Sequence, residues 1–317
     1  MCADDFNQNV HGIILYMEGR FALKRTEAIK MATFTNRAIL SYNGGIVNSN
    51  VVSGEILGRI TVSKTAIGDG YSVGEPVTYI VSIINTGETV LNGITLTDDL
   101  GAYQLDGQTV VPLDYVDGSA VYYVGGIGQG SPAVEAGPPL VISGISLPAG
   151  GNALIVYQAV PNGFASPAAD GNITNNVTAD ADGLCTPAEA SNDLAVRTGA
   201  ELDINKAIEP AVVVENGTLT YTLTVINCGN NDAVATDDVV ITDVFDPVLT
   251  DITVRYNGVI WTEGVNYTYD EQTGEFATLP GQVTVPAATA TRDPETGLWS
   301  TEPGVSVITV SGTLACQ

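Results

Sequence analysis

Lysine, aspartate and asparagine, three residue types that together support amide chemistry, recur in this sequence on strand-like segments with matching alternation. In "ITVSK", Ile60, Val62 and Lys64 fall on one face, and in "LDINK", Leu202, Ile204 and Lys206 do. Ile94, Leu96 and Asp98 share a face of "ITLTD", as Ile241 and Asp243 do in "VVITD". Ile173, Asn175 and Val177 alternate in the same way, and so do Phe34, Asn36, Ala38 and Leu40. Alternation therefore aims two sets inward, Lys64/Asp98/Asn175 and Lys206/Asp243/Asn36. Burial favours the uncharged lysine. Its amine can then attack the asparagine amide while a protonated carboxyl shuttles the proton, leaving an isopeptide bond. The plainer reading is a Lys–Asp pair at a strand end, with the lysine snorkelling out and the asparagine in a turn. Parity is easily misjudged at strand ends, so the sequence favours the plainer reading.

Other chemistries find little support. The one histidine, His11, lies outside these segments, which removes Ser/His/Asp and Cys/His schemes and most zinc hydrolases. "GGIGQG" (Gly125 to Gly130) precedes no helix and reads as a flexible loop rather than a nucleotide cradle. Cys2, Cys185, Cys228 and Cys316 form no C-x-x-C, so structural zinc is not expected. Cys2 and Cys316, near opposite chain ends, suit bonds between subunits as well as bonds within one. Triplets such as Asn216-Gly-Thr match the glycosylation pattern by chance in Thr-rich sequence. No cofactor or metal is implied.

The formal charge of −25, from 11 basic and 36 acidic residues, repels nucleic acid and anionic membranes. Without an EF-hand-type loop, this acidity reads as a solvated surface. No run of about 18 apolar residues suggests a membrane span. The first 25 residues do not resemble a secretory signal, because the apolar stretch Ile13 to Met17 is short and acidic residues precede it. Residues 1–30, with the only helix-like periodicity, read as an extension or processed leader; Met31 is an alternative start.

The segments that carry these Lys, Asp and Asn residues read as strands. Val, Thr, Ile and Tyr alternate in runs punctuated by 35 Gly and 15 Pro, and 44% hydrophobic residues suffice for packed cores. In "PVTYIVSIIN", Val77, Tyr79, Val81 and Ile83 share a face; in "TLTYTLTVIN", Leu219, Tyr221, Leu223 and Val225 do. "NTGE" and "NCGN" then supply turn residues. These runs belong to a repeat. Lys64 matches Lys206, Tyr79 matches Tyr221 and Asn85 matches Asn227, each 142 positions on (206 − 64), and Thr97-Asp98 matches Thr242-Asp243 after a small insertion. A period of this size indicates tandem domains.

The combination V-x-K, then G-x-x-x-T-Y ending in N-x-G, then I-T-D, resembles the bacterial cell-surface repeat domain known as domain of unknown function eleven. The resemblance covers about residues 32 to 317 and implies tandem immunoglobulin-like β-sandwiches in a surface protein, although no export signal or wall anchor is recognisable. Isopeptide bonds of the kind described above occur in many Gram-positive surface adhesins and pili. The expected fold is all-β, with an N-terminal donor hairpin over residues 31–57, sandwich repeat one over 58–198 and an incomplete repeat two over 199–317.

Repeat one closes through "GNALIVYQAV", "GNITNNVTADADG" and "ASNDLAV", whereas repeat two reaches only "GVSVITVSGTLACQ", the counterpart of the first of these. The last strands have their match at the front: Phe34-Thr35-Asn36 aligns with Ile173-Thr174-Asn175, and "NSNVVSGEIL" with "ASNDLAVRTG". Strand donation from a second copy would complete repeat two and generate an open filament, since donor and acceptor differ. Donation in cis would require both domains side by side, because the hairpin runs directly into repeat one. The expected function is therefore a structural subunit polymerising head to tail with itself into a surface fibre. Lacking a signal, it would assemble inside the cell and be exposed on lysis, a spore surface being one setting. The rival is a monomeric adhesin whose acidic loops bind Ca²⁺ or carbohydrate, with Trp261 and Trp299 as sugar platforms, although hairpin packing is the more ordinary role for both.

Overall fold

A computed structural model describes residues 30–314. The expectations for the leader, with Cys2 and His11, and for Cys316 fall outside them. The described chain is all-β; its one helical element is the 3₁₀ turn Ala235–Asp237. It divides into two units. One takes the described residues up to Phe164 with Asn172–Leu194, the other Ala165–Gly171 and the residues from Ala195 onward.

The first unit packs two sheets. One runs in the order Ile127–Gly130, Val121–Val124, Asn152–Pro161, Val77–Asn85, Ile60–Ile67. The other runs Ala133–Glu135, Leu140–Leu147, Leu91–Asp98, Asn172–Asp180, Ala188–Ala195. Strict alternation builds the core: Val77, Tyr79, Val81 and Ile83 from one sheet and Ile94, Leu96, Ile142 and Val177 from the other are buried. Tyr79 stacks on Tyr157 with ring centroids 5.5 Å apart. The Gly125-to-Gly130 stretch, expected as a flexible loop, is a tight turn and an edge strand. Gly125 and Gly126 adopt φ of 55° and 82°, and Ile127–Gly130 pairs with Val121–Val124. Backbone pairing needs no side chains, so a glycine-rich composition did not prevent it.

The second unit has one five-stranded sheet, Leu202–Glu209, Thr218–Asn227, Gly304–Leu314, Leu249–Tyr256, Val259–Ile260, and a smaller one, Thr242–Val244, Glu275–Thr278, Tyr267–Tyr269. They share a core of Leu223, Val225, Val254, Phe245, Phe276 and Ile308. Trp261 packs at its margin, stacked on Tyr256 at 4.9 Å, while Arg292 lies over Trp299 in the hairpin Thr289–Arg292/Trp299–Glu302.

The motif asparagines are buried staples of the N-x-G turns. Asn85 donates through Nδ2 to the carbonyls of Thr89 and Pro148 and accepts from the Gly87 N–H. Asn227 donates to the Asn231 carbonyl and accepts from the N–H groups of Gly229 and Glu201.

Before the first unit's sheets lies a hairpin in which Lys30–Asn36 pairs with Val52–Leu57 and Ile39–Tyr42 pairs with Gly45–Asn48. Asn43 and Gly44, both at positive φ, make its two-residue turn. Among the described residues its strands hydrogen-bond only to one another. Phe34, Leu40, Ile46 and Val52 stay exposed.

Candidate functional site

Strand parity brings the first Lys/Asp/Asn set into the core of the first unit. Lys64 lies mid-strand on Ile60–Ile67, Asp98 ends Leu91–Asp98, and Asn175 lies mid-strand on Asn172–Asp180; all three are buried. Lys64 Nζ lies 2.6 Å from Asp98 Oδ2, with the lysine side chain 0% exposed, and 5.1 Å from the centre of the Tyr79 ring. The plainer sequence reading held a snorkelling lysine and a turn asparagine; the Lys–Asp pair is present, but neither of those features is.

Asp98 is heavily engaged. Its Oδ2 also accepts from the Tyr157 hydroxyl and its Oδ1 from the Leu100 N–H at 3.0 Å. Asn175 accepts through Oδ1 from the Gly101 N–H at 3.2 Å, but its buried Nδ2 and the Tyr79 hydroxyl complete no hydrogen bond. Desolvation holds the Lys64 amine below the ordinary lysine range, against the opposing pull of the Asp98 carboxylate. Desolvation likewise drives Tyr79 and Tyr157 well above the ordinary phenol range; the Asn175 amide opposes it on both, second in weight on Tyr79 and last on Tyr157. That shared influence places Asn175 in the same cluster. A dry amine, a carboxyl able to pass a proton and an amide nitrogen without a partner are the ingredients of amide exchange.

Sequence reading missed Tyr157 as a member. The alternation of Ala153, Ile155, Tyr157 and Ala159, all buried, marks it as core and not as a partner of Asp98.

The second unit assembles two of the three residues. Lys206 Nζ lies 2.5 Å from Asp243 Oδ2, and its ammonium sits over the rings of Tyr221 (4.4 Å) and Phe245 (5.3 Å). Here the pair is open, with side chains 39% and 17% exposed. The difference follows from strand pairing. In the first unit, Leu91–Asp98 is flanked on both sides, Asp98 pairing with Leu140 and with Val177. In the second, Thr242–Val244 pairs only with Glu275–Thr278 among the described residues. On Leu202–Glu209 the inward positions beside Lys206, namely Leu202, Ile204 and Ile208, are 41%, 48% and 40% exposed. A groove of about 330 Å³ lined by Leu202, Ile204, Val225, Val239 and Ile241 runs between the two strands. The third residue of this set, Asn36, lies on the N-terminal hairpin, exposed like Ala38 beside it.

Of the cysteines, Cys185 is an exposed free thiol and Cys228 is engaged. Among the described residues no cluster of His, Cys, Asp or Glu could hold a metal ion, and no helix is long and apolar enough to cross a membrane.

No protein-family model matches the sequence, and no curated protein matches it. Solved structures do. The pilus backbone RrgB of Streptococcus pneumoniae is 14% identical, with 77% of this chain and 55% of that one covered at a TM-score of 0.31. The major pilin SpaD of Corynebacterium diphtheriae is 11% identical, covering 69% and 48%, with a TM-score of 0.33. A collagen-binding domain from a Staphylococcus aureus adhesin is 12% identical, covering 43% of this chain and 97% of that one, with a TM-score of 0.29. This chain thus spans about half the length of the two pilins.

Proposed function

We propose that this protein is a structural subunit of a bacterial surface fibre, polymerising head to tail as the hairpin over residues 31–57 of one copy completes repeat two of the next. The observation that carries the reading is the groove beside Thr242–Val244, an unpaired strand edge over a half-exposed apolar face, where repeat one has Asn172–Asp180. The hairpin carries the matching residues: Phe34, Asn36, Ala38 and Leu40 stand where Ile173, Asn175, Val177 and Ala179 stand in repeat one. Strand addition supplies both the missing backbone hydrogen bonds and the missing apolar cover. The likeness of the repeats to the cell-surface domain of unknown function eleven agrees with a surface location. Within repeat one, Lys64 and Asn175 would form an internal cross-link with Asp98 as proton shuttle, stiffening a load-bearing module.

Negative-stain microscopy of the purified protein tests this. Fibres are expected from the full chain and none from a chain lacking residues 32–57. A full chain that stays monomeric at high concentration and binds Ca²⁺ or a carbohydrate would instead make it an adhesin.

A further inference from the structure

Lys206 and Asp243 form two corners of a triad whose third corner, occupied by Asn175 in the first unit, is vacant in the second. The pair is pre-assembled in an apolar setting, over Tyr221 and Phe245, as Lys64 is over Tyr79. What it lacks is a roof and an amide. The hairpin carries both. With the repeat-one register, in which Val177 opposes Asp98 and Ala179 opposes Leu96, Ala38 would oppose Asp243 and Leu40 would oppose Ile241. Asn36, two residues before Ala38, then takes the position that Asn175 holds two residues before Val177.

We propose that docking of the hairpin is followed by a covalent step, in which Lys206 of one copy forms an isopeptide bond with Asn36 of a second copy. This rests on the strand-donation reading. Lys206 passes a proton to Asp243, and Nζ attacks Cγ of Asn36. The Nζ–Cγ bond forms and the Cγ–Nδ2 bond breaks. Asp243 protonates the departing nitrogen, and the proton shed by the attacking nitrogen returns through Asp243. Ammonia leaves and takes up the lysine's original proton as ammonium; nothing is oxidised or reduced. A lysine that is 39% exposed stays solvated and charged, so cover by the hairpin confines the step to assembled subunits.

The occupant is a second copy because only Gly58 and Arg59 separate the hairpin from Ile60, the start of the first unit's edge strand. A two-residue tether reaches about 7 Å. That tether fixes only the base of the hairpin, and Asn36 and Leu40 pair with Val52 and Val47 further along it, so donation in cis would need the second unit's groove to lie within one hairpin's length of Ile60.

The test uses two full-length variants, Asn36→Ala, which keeps only the acceptor, and Lys206→Arg, which keeps only the donor. Wild-type assemblies boiled in detergent with reductant are expected to give a ladder. Each variant alone is expected to give monomer. Their mixture is expected to give a covalent dimer and nothing longer, lighter than its two chains by about 17 Da for one ammonia. Peptide mapping should join Lys206 to Asn36. Asn36→Asp is a gentler variant that should still link, losing water, about 18 Da, instead. Wild-type protein that assembles but boils wholly to unlinked monomer overturns the covalent step alone. Wild-type protein that never assembles overturns strand donation with it. A monomer carrying the Lys206–Asn36 link within itself overturns the second copy as occupant.

Discussion

Replacing Leu40 by aspartate should weaken assembly without disturbing the single chain. Leu40 is 63% exposed on the hairpin, so the monomer gains little from it. In a docked subunit it would stand where Ala179 stands, 0% exposed and opposite Leu96, whose counterpart is Ile241. Full burial of a leucine side chain contributes about 1.5–3 kcal/mol, and close to two thirds of that remains to be gained on docking, about 1–2 kcal/mol. Aspartate forfeits this and adds the cost of desolvating a carboxylate with no partner, at least another 1–3 kcal/mol or so. A combined loss of about 3 kcal/mol corresponds to roughly a 100-fold rise in the concentration needed for assembly. Light scattering against protein concentration measures it. Ser41→Asp is the control, since its counterpart Asp180 is exposed. A Leu40→Asp protein that assembles at the wild-type concentration, or a Ser41→Asp protein equally impaired, would refute the register and with it the docking argument.

Three further expectations follow from the same geometry. Intact mass of the reduced wild-type monomer should fall short of its sequence mass by about 17 Da, the ammonia shed by a Lys64–Asn175 bond, and Asn175→Ala should restore the full value. The first unit should lose stability as pH rises above 10.5. Burial first, and Tyr103 second, push Tyr71 up to about 12, so the unfolded tyrosine releases a proton that the folded one keeps until about pH 12. Tyr79 and Tyr157 act in the same sense, and the three tyrosines together outweigh any uncross-linked Lys64, whose lowered pKa makes an opposite contribution that stops growing once the unfolded lysine has titrated just above pH 10.5. A urea midpoint that is flat or rising from pH 10.5 to 12 would contradict this. Finally, if Cys185 joins subunits, boiled fibres should release monomer more readily with reductant than without, and Cys185→Ser should remove the difference.

Much of this architecture is legible in the sequence because alternation is a strong signal in sheets buried on one face. Lys64 and Asn175 sit between apolar neighbours two positions away on each side, and a one-residue slip would have turned all of those neighbours to water. The internal repeat made the counterpart residues legible as well. What alternation could not reveal was depth. It points Lys64 and Lys206 the same way, yet one is dry and the other open, because depth depends on a strand distant in sequence. It was equally silent on Tyr157, since an inward tyrosine reads as core until its hydroxyl is seen to reach Asp98. The edge strand Ile127–Gly130 was hidden for a different reason: it is held by backbone pairing, and its glycine-rich composition carries no side-chain pattern.

Strand donation itself is tested most directly by calorimetry on a chain lacking residues 1–57, alone and with a synthetic peptide covering Ala32 to Leu57. The account predicts two transitions, one from an intact first unit and a lower one from a weakened second unit. The peptide should raise the second alone, saturably, as a ligand that binds only the folded form must. A second transition that is already high without the hairpin, and that the peptide leaves in place, would contradict it.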